Sequence, residues 1–169
     1  FGEMSWEELT DMATVHVSGA INTTEPDSTA AGRCIKSNDL NWGNPLNPTA
    51  ACGTYYPVIH ATGSELLIQS GGVGQGILLV DGDLDLRGDF VFHGIVIVQG
   101  NFETQGSGNR IHGAVMAGNT YFDDQTLTGT SVVNYSSCAV QRAMELNEAL
   151  QRPRALPMRA WSDLSRAGP

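Results

Sequence analysis

The chain has 169 residues and a formal charge of −9, with 18 acids against 9 lysines and arginines. Its 41% hydrophobic and 16% charged residues suffice for a buried core, which argues against wholesale disorder and against a charge-driven nucleic-acid binder. No run of 18 apolar residues offers a membrane span and residues 1–20 lack a signal peptide's basic and apolar regions, so the chain is expected to be soluble; its 20 glycines, about 12% against a usual ~7%, point to a turn-rich, all-β fold.

Residues 1–54 open with a capping box, Ser5-Trp6-Glu7-Glu8, ahead of Leu9 and Met12, which predicts a short helix from Trp6 to about Ala13. Thr14 to Ile21 alternates in polarity through Val15 and Val17 and is read as a strand. The stretch Asn22 to Cys52 is rich in Asn, Pro and Gly and is read as a loop that caps the open lower end of the fold that follows. Cys34 and Cys52 lie 18 apart in it, and a disulfide there would remove roughly 3 kcal/mol of unfolded-state entropy. That bond implies an oxidising compartment. Asn22-Thr23-Thr24 matches the glycosylation sequon, as does Asn134-Tyr135-Ser136, and residues 21–30 are candidate carriers of surface sugars.

Residues 55–137 carry the organising repeat. Glycine recurs at Gly76, Gly82, Gly88, Gly94, Gly100 and Gly106, an unbroken spacing of six. Each is read as the corner after a short strand, where positive φ and a missing side chain are useful. Leu78 and Val80, Leu84 and Leu86, Phe90 and Phe92, Val96 and Val98 then point one way, as period-two strands require. Apolar outward residues at Ile77 and Leu79 return 18 later at Ile95 and Ile97, which sets an 18-residue rung of three sides. Stepping by 18 gives Ile59 and Ala61 below, and with one inserted residue Ala114 and Met116, then Val132 and Asn134 above. The expected fold is an all-β triangular solenoid of about five rungs with minor helices, one compact domain overall, with inward residues His60, Leu78, Val96, Val115 and Val133. Ile59, Ile77, Leu79, Ile95, Ile97, Ala114 and Met116 form an external apolar stripe, a packing or assembly surface that water is not normally left to cover.

Residues 138–169 supply a cover for that stripe. Ala139, Ala143, Leu146 and Leu150 recur at helical spacing, and Pro153 ends the helix. A neighbouring subunit or a further N-terminal helix is the alternative cover. Arg159 to Leu164, anchored by Trp161, reads as a final short strand. Charge is uneven: residues 1–137 hold 15 acids and four bases, whereas 138–169 hold three acids and five arginines. Cys138, the unpaired cysteine, is read as a small buried hydrophobe.

Candidate chemistry is sparse. Asp81, Asp83, Asp85 and Asp89 offer hard oxygens at turns, as calcium requires, but lack the repeated nonapeptide of calcium solenoids. Asp123-Asp124 invites comparison with paired glycosidase carboxylates, yet adjacent strand residues face opposite ways. His93 and His112 share a corner one rung apart beside Gln75, which is read as a polar ladder rather than a metal site. No nucleophile motif or phosphate loop is present, so the chain is expected to be no enzyme, with neither catalytic nor metal-ligating residues and no cofactor.

The segments SGGVGQGILLVDGDL from Ser70, FHGIVIVQG from Phe92, NRIHGAVMA from Asn109, SSCAVQRA from Ser136 and the closing WSDLS from Trp161 are, together, specific. Over roughly residues 5–165 the chain resembles the C-terminal region of bacterial PilX-type pilus-assembly proteins. The resemblance implies an extracellular or cell-surface protein related to type IV pilus machinery, normally made with an apolar N-terminal helix. Phe1-Gly-Glu-Met-Ser departs from that start, so the anchor has been removed or the domain works without it. The expected function is a non-enzymatic structural or adhesive subunit of a surface filament. Its partners would be further copies, pilus components or surface glycans, and neither nucleic acid nor a membrane span. A carbohydrate-active or carbohydrate-binding β-helix and a bactofilin-like polymer are the rivals.

Overall fold

The structure, a computed structural model, describes residues 4–105, 108–119 and 131–151. Strands β1 (Val15–Ile21), β2 (Val58–Ile68), β3 (Gly72–Val80), β4 (Asp83–Arg87), β5 (Phe90–Gln105), β6 (Arg110–Asn119) and β7 (Val132–Tyr135) are joined by parallel pairing throughout. The chain coils as a β-solenoid of about three turns. Its strands fall on three faces. Residues 58–61, 77–80, 95–98 and 114–117 stack on the first, 65–68, 83–86 and 102–104 on the second, and 72–76, 90–94 and 110–113 on the third. β1 joins below, its first half on the first face and its second half on the second. β7 continues the third face above β6.

The step is 18 residues from β2 to β4, where Leu66 pairs with Leu84, and from β3 to β5, where Gly72 pairs with Phe90 and Ile77 with Ile95. From β2 to β3 it lengthens by one, because Val58 pairs with Ile77 and Ile59 with Leu78, as it does from β5 to β6, where Ile95 pairs with Ala114. The extra residue of the lower step sits in the corner Thr62-Gly63-Ser64, where Gly63 takes a φ of 104°. A one-residue slip exchanges the faces of a strand. Ile59 therefore points into the core beside Leu78 and Val96, and Val58 takes the outward place expected of Ile59. His60, expected inside, instead faces out in register with Leu79. Farther up, Val132 and Asn134 stack on Arg110 and His112 of the third face, not on Ala114 and Met116. The segment 120–130 lies outside the described residues.

The interior is a single apolar column of Ile59, Leu66, Ile68, Leu78, Leu84, Leu86, Phe90, Phe92, Val96 and Ile111, with Trp42 from the loop below. Trp42 is fully buried, edge-on to Phe90 at 6.1 Å. Its carbonyl accepts from Gln75 N and Thr24 O accepts from Val73 N, so the loop supplies the backbone that the lowest turn of the third face lacks. Asn41 holds this loop: Nδ2 donates to Asp27 O and Ile35 O, and Oδ1 accepts from Gly43 N. The Cys34–Cys52 disulfide closes it. Replacing both cysteines by serine is expected to lower stability by about 3 kcal/mol, read as the shift in urea midpoint between the variant and the oxidised protein.

Helix α1 (Trp6–Thr10) carries the expected capping box, Ser5 N donating to Glu8 Oε2 and Glu8 N to Ser5 Oγ. Helix α2 (Ser137–Glu145) starts at an N-cap Ser136 and is shorter than the sequence pattern suggested. Ala139 and Ala143 are buried, but Leu146 at its C-cap is 43% exposed. The buried role near that end falls to Asn147, whose Nδ2 donates to Tyr56 O while Oδ1 accepts from Ala149 N and Leu150 N. Pro153, the strand expected at Arg159 to Leu164 and the Asp123-Asp124 pair all lie outside the described residues.

Candidate functional site

The outward stripe of the first face is largely buried. Ile77, Leu79 and Ile95 cluster with Val58, Tyr56, Leu9 of α1 and Ala143 of α2, and Ile97, Val140, Leu150, Met12 and Trp6 pack against them. Ala114 is half-buried and Met116 is 47% exposed, so the stripe emerges only at its upper end. Ile59, as the register requires, belongs to the core instead.

Helix α1 is fixed to this face through Asp81. One carboxylate oxygen, Oδ1, accepts from the Trp6 indole at 3.0 Å and lies 2.9 Å from His60 Nε2, with the rings of Trp6 and His16 edge-on to His60. Asp81→Asn is expected to loosen α1 by about 1 kcal/mol, a hydrogen bond to a partly exposed charge being worth little more. Faster amide exchange in residues 6–10, with unchanged exchange in β3 and β5, would register it.

Asp83 and Asp85 of the acidic turn region are also engaged individually. Asp83 Oδ1 accepts from Asn101 N, and Asp85 Oδ2 accepts from both Nε and Nη2 of Arg87. Among the described residues no three His, Cys, Asp or Glu side chains converge as metal ligands.

The corners behave in two ways. Gly76, Gly88 and Gly94 have positive φ, whereas Gly82 and Gly100 do not and are small for another reason: a Cβ there would run into the backbone of the corner one rung below. Gly106 lies outside the described residues. At the sequon, Asn22 is exposed while Thr24 is buried and its hydroxyl donates to Val73 O.

A polar concavity lies where α2 crosses the third-face corner. It is a cleft of about 170 Å³ in which Gln75, His93 and His112 of successive rungs meet Ser136, Cys138 and Arg142, with Tyr56 at one side. The imidazoles of His93 and His112 stand 4.7 Å apart, edge to face. Gln75 is spent on structure, its Nε2 donating to Cys52 O, Gly53 O and Tyr55 O beneath the cleft. Burial, and then the neighbouring His112 and Arg142, push the His93 pKa below its ordinary 6.5. Protonating His93 is thus harder folded than unfolded, and it withdraws stability as pH falls below that ordinary value. The corner position of the two histidines was legible in the repeat. The parts brought by α2 were not, because no spacing rule tells which corner a distant helix crosses. Cys138, expected to be buried, is exposed at this cleft's edge. The helix turns its alanines, Ala139 and Ala143, to the solenoid and leaves the thiol outside.

Comparison with protein-family models, with curated proteins and with solved structures finds no match to this chain.

Proposed function

We propose that the chain is a non-enzymatic structural or adhesive subunit of a bacterial extracellular filament or pilus-type surface structure. The observation that carries this reading is the Cys34–Cys52 disulfide, which closes the loop that seats Trp42 under the solenoid. Structural disulfides of this kind belong to oxidising compartments and are rare in the cytosol, which favours the exported filament subunit over a bactofilin-like cytoskeletal polymer. A stack of parallel rungs, five in this reading with the N-terminal loop and terminal helix closing it, suits a subunit that bears load outside the cell. The similarity of its glycine-rich segments to PilX-type proteins points the same way.

The covered stripe directs assembly elsewhere. With Ile77, Leu79 and Ile95 buried by the chain's own helices, the exposed large apolar residues among the described residues include a group at the upper margin, Met116, Val132, Val133 and Tyr135. A strand at the end of a parallel stack also offers unpaired backbone groups to a neighbour. Thiol counting on protein taken from its native cells without reductant tests the compartment. Cys138 alone should react before denaturant and reduction, and all three cysteines after; three free thiols in the native protein would remove the ground for an exported subunit.

A further inference from the structure

The cleft under α2 stands apart from the rest of the molecule in charge. The chain has twice as many acids as lysines and arginines, yet among the described residues no carboxylate lines this cleft, while Arg142, His93 and His112 all do. None of these three side chains has an ion-pair or hydrogen-bond partner among the described residues, and the two imidazoles stand edge to face with each other. Ser136 adds a hydroxyl whose oxygen already accepts from Ala139 N, leaving its proton available as a donor. Donors from two strands and one helix therefore face a common space of about 170 Å³, enough for one small group with a few waters.

A cation is a poor fit, because Arg142 repels it and, although Cys138 lies at the edge, among the described residues no third side chain converges with the two histidines as a ligand. A guanidinium with adjoining imidazole and hydroxyl donors instead matches the oxygens of a carboxylate or phosphate.

We propose that this cleft binds a small oxyanion, the carboxylate or phosphate group of a surface ligand, between Arg142 and the His93–His112 pair. The site is independent of whether the chain sits in a filament. Binding is linked to protonation. The groups that face His93 are His112 from β6, Arg142 and Cys138 from α2 and Tyr56 from the segment before β2, with Gln75 below and Pro45 and Pro48 across the cleft. None of them is a carboxylate. An anion favours the imidazolium form, so affinity rises as the pH falls.

The test is an NMR titration of the histidine side-chain signals of the full chain, using glucuronate and inorganic phosphate separately, at constant ionic strength and at about pH 7.5 and about pH 5.5. Saturable shifts of both His93 and His112 are expected, tighter at the lower pH. Arg142→Gln should weaken binding by about tenfold or more, the usual loss for a charge-assisted contact, with Arg142→Lys intermediate. His93→Gln should flatten the pH dependence. Melting temperatures alongside each variant separate loss of the site from loss of the fold. Saturation by glucuronate alone assigns an acidic sugar and saturation by phosphate alone a phosphoryl group. Non-saturable shifts with both anions, binding unchanged in Arg142→Gln, or a response of the histidines to zinc alone would overturn the proposal.

Discussion

Trp42→Ala is expected to destabilise the protein by about 3–5 kcal/mol, the range for truncating a large buried aromatic. Trp42 is the only aromatic that the loop between β1 and β2 contributes to the interior column. It lies beneath the paired rings of Phe90 and Phe92 and beside Gly74, whose missing side chain leaves it room. Its indole N–H donates to Asp39 O, and its carbonyl accepts from Gln75 N. Truncation leaves a void that the disulfide-closed loop cannot collapse to fill, and it loosens the backbone that pairs with the third face. Urea unfolding followed by far-UV circular dichroism gives the loss, and amide exchange at Val73 and Gln75 should accelerate more than at Val96. A loss under about 1 kcal/mol would mean that the loop does not plug the column.

Gly94→Ala is expected to cost about 2–5 kcal/mol, the sum of a disfavoured φ and an overpacked backbone contact. Gly76, Gly94 and Gly113 stack in one corner with φ of 113°, 147° and 148°. A Cβ on Gly94 would run into the carbonyl oxygen of Gly76, and one on Gly113 into that of Gly94. These are backbone atoms fixed by the parallel ladder, so no side chain can swing aside. Gly63 is the control. It also has a positive φ, 104°, but a Cβ there meets nothing within 4 Å. Gly63→Ala should therefore lose only about 1 kcal/mol. Equal losses at the two positions, in thermal or urea unfolding, would show that the corner is governed by φ alone and not by the closeness of the rungs.

Those glycines explain why the solenoid could be read from sequence at all. Steric exclusion by the rung below recurs at Gly76, Gly82, Gly94, Gly100 and Gly113, so the pattern survives even at Gly82 and Gly100, where φ is ordinary. The capping box at Ser5 and the pairing of Cys34 with Cys52 were equally legible, since both rest on local chemistry or on a small number of choices. Facing was less secure. The single extra residue at Thr62-Gly63-Ser64 turns Ile59 inward and His60 outward, and one residue at a corner leaves no mark in a count of hexads. β1 adds a parallel strand below the repeat although it lacks the glycine period, because pairing to β2 needs only alternation and a free edge.

The buried amides were not foreseen either. Asn41, Asn109 and Asn147 each satisfy backbone groups where the chain leaves the regular ladder. An asparagine in a turn-rich stretch looks the same whether it faces water or clamps a corner. The cleft beside His93 depends on a further long-range fact, the path of α2 from the top of the third face toward Tyr56 and Lys36. Its arginine is unremarkable in sequence and becomes distinctive only when placed beside two imidazoles.

Immunogold electron microscopy of intact cells, with antibody raised against the folded domain, addresses the proposed role most directly. Labelling along extracellular filaments, and recovery of the disulfide-bonded chain in the sheared surface fraction, is the predicted result. Label confined to the cell interior, with the chain absent from the sheared material, would contradict it.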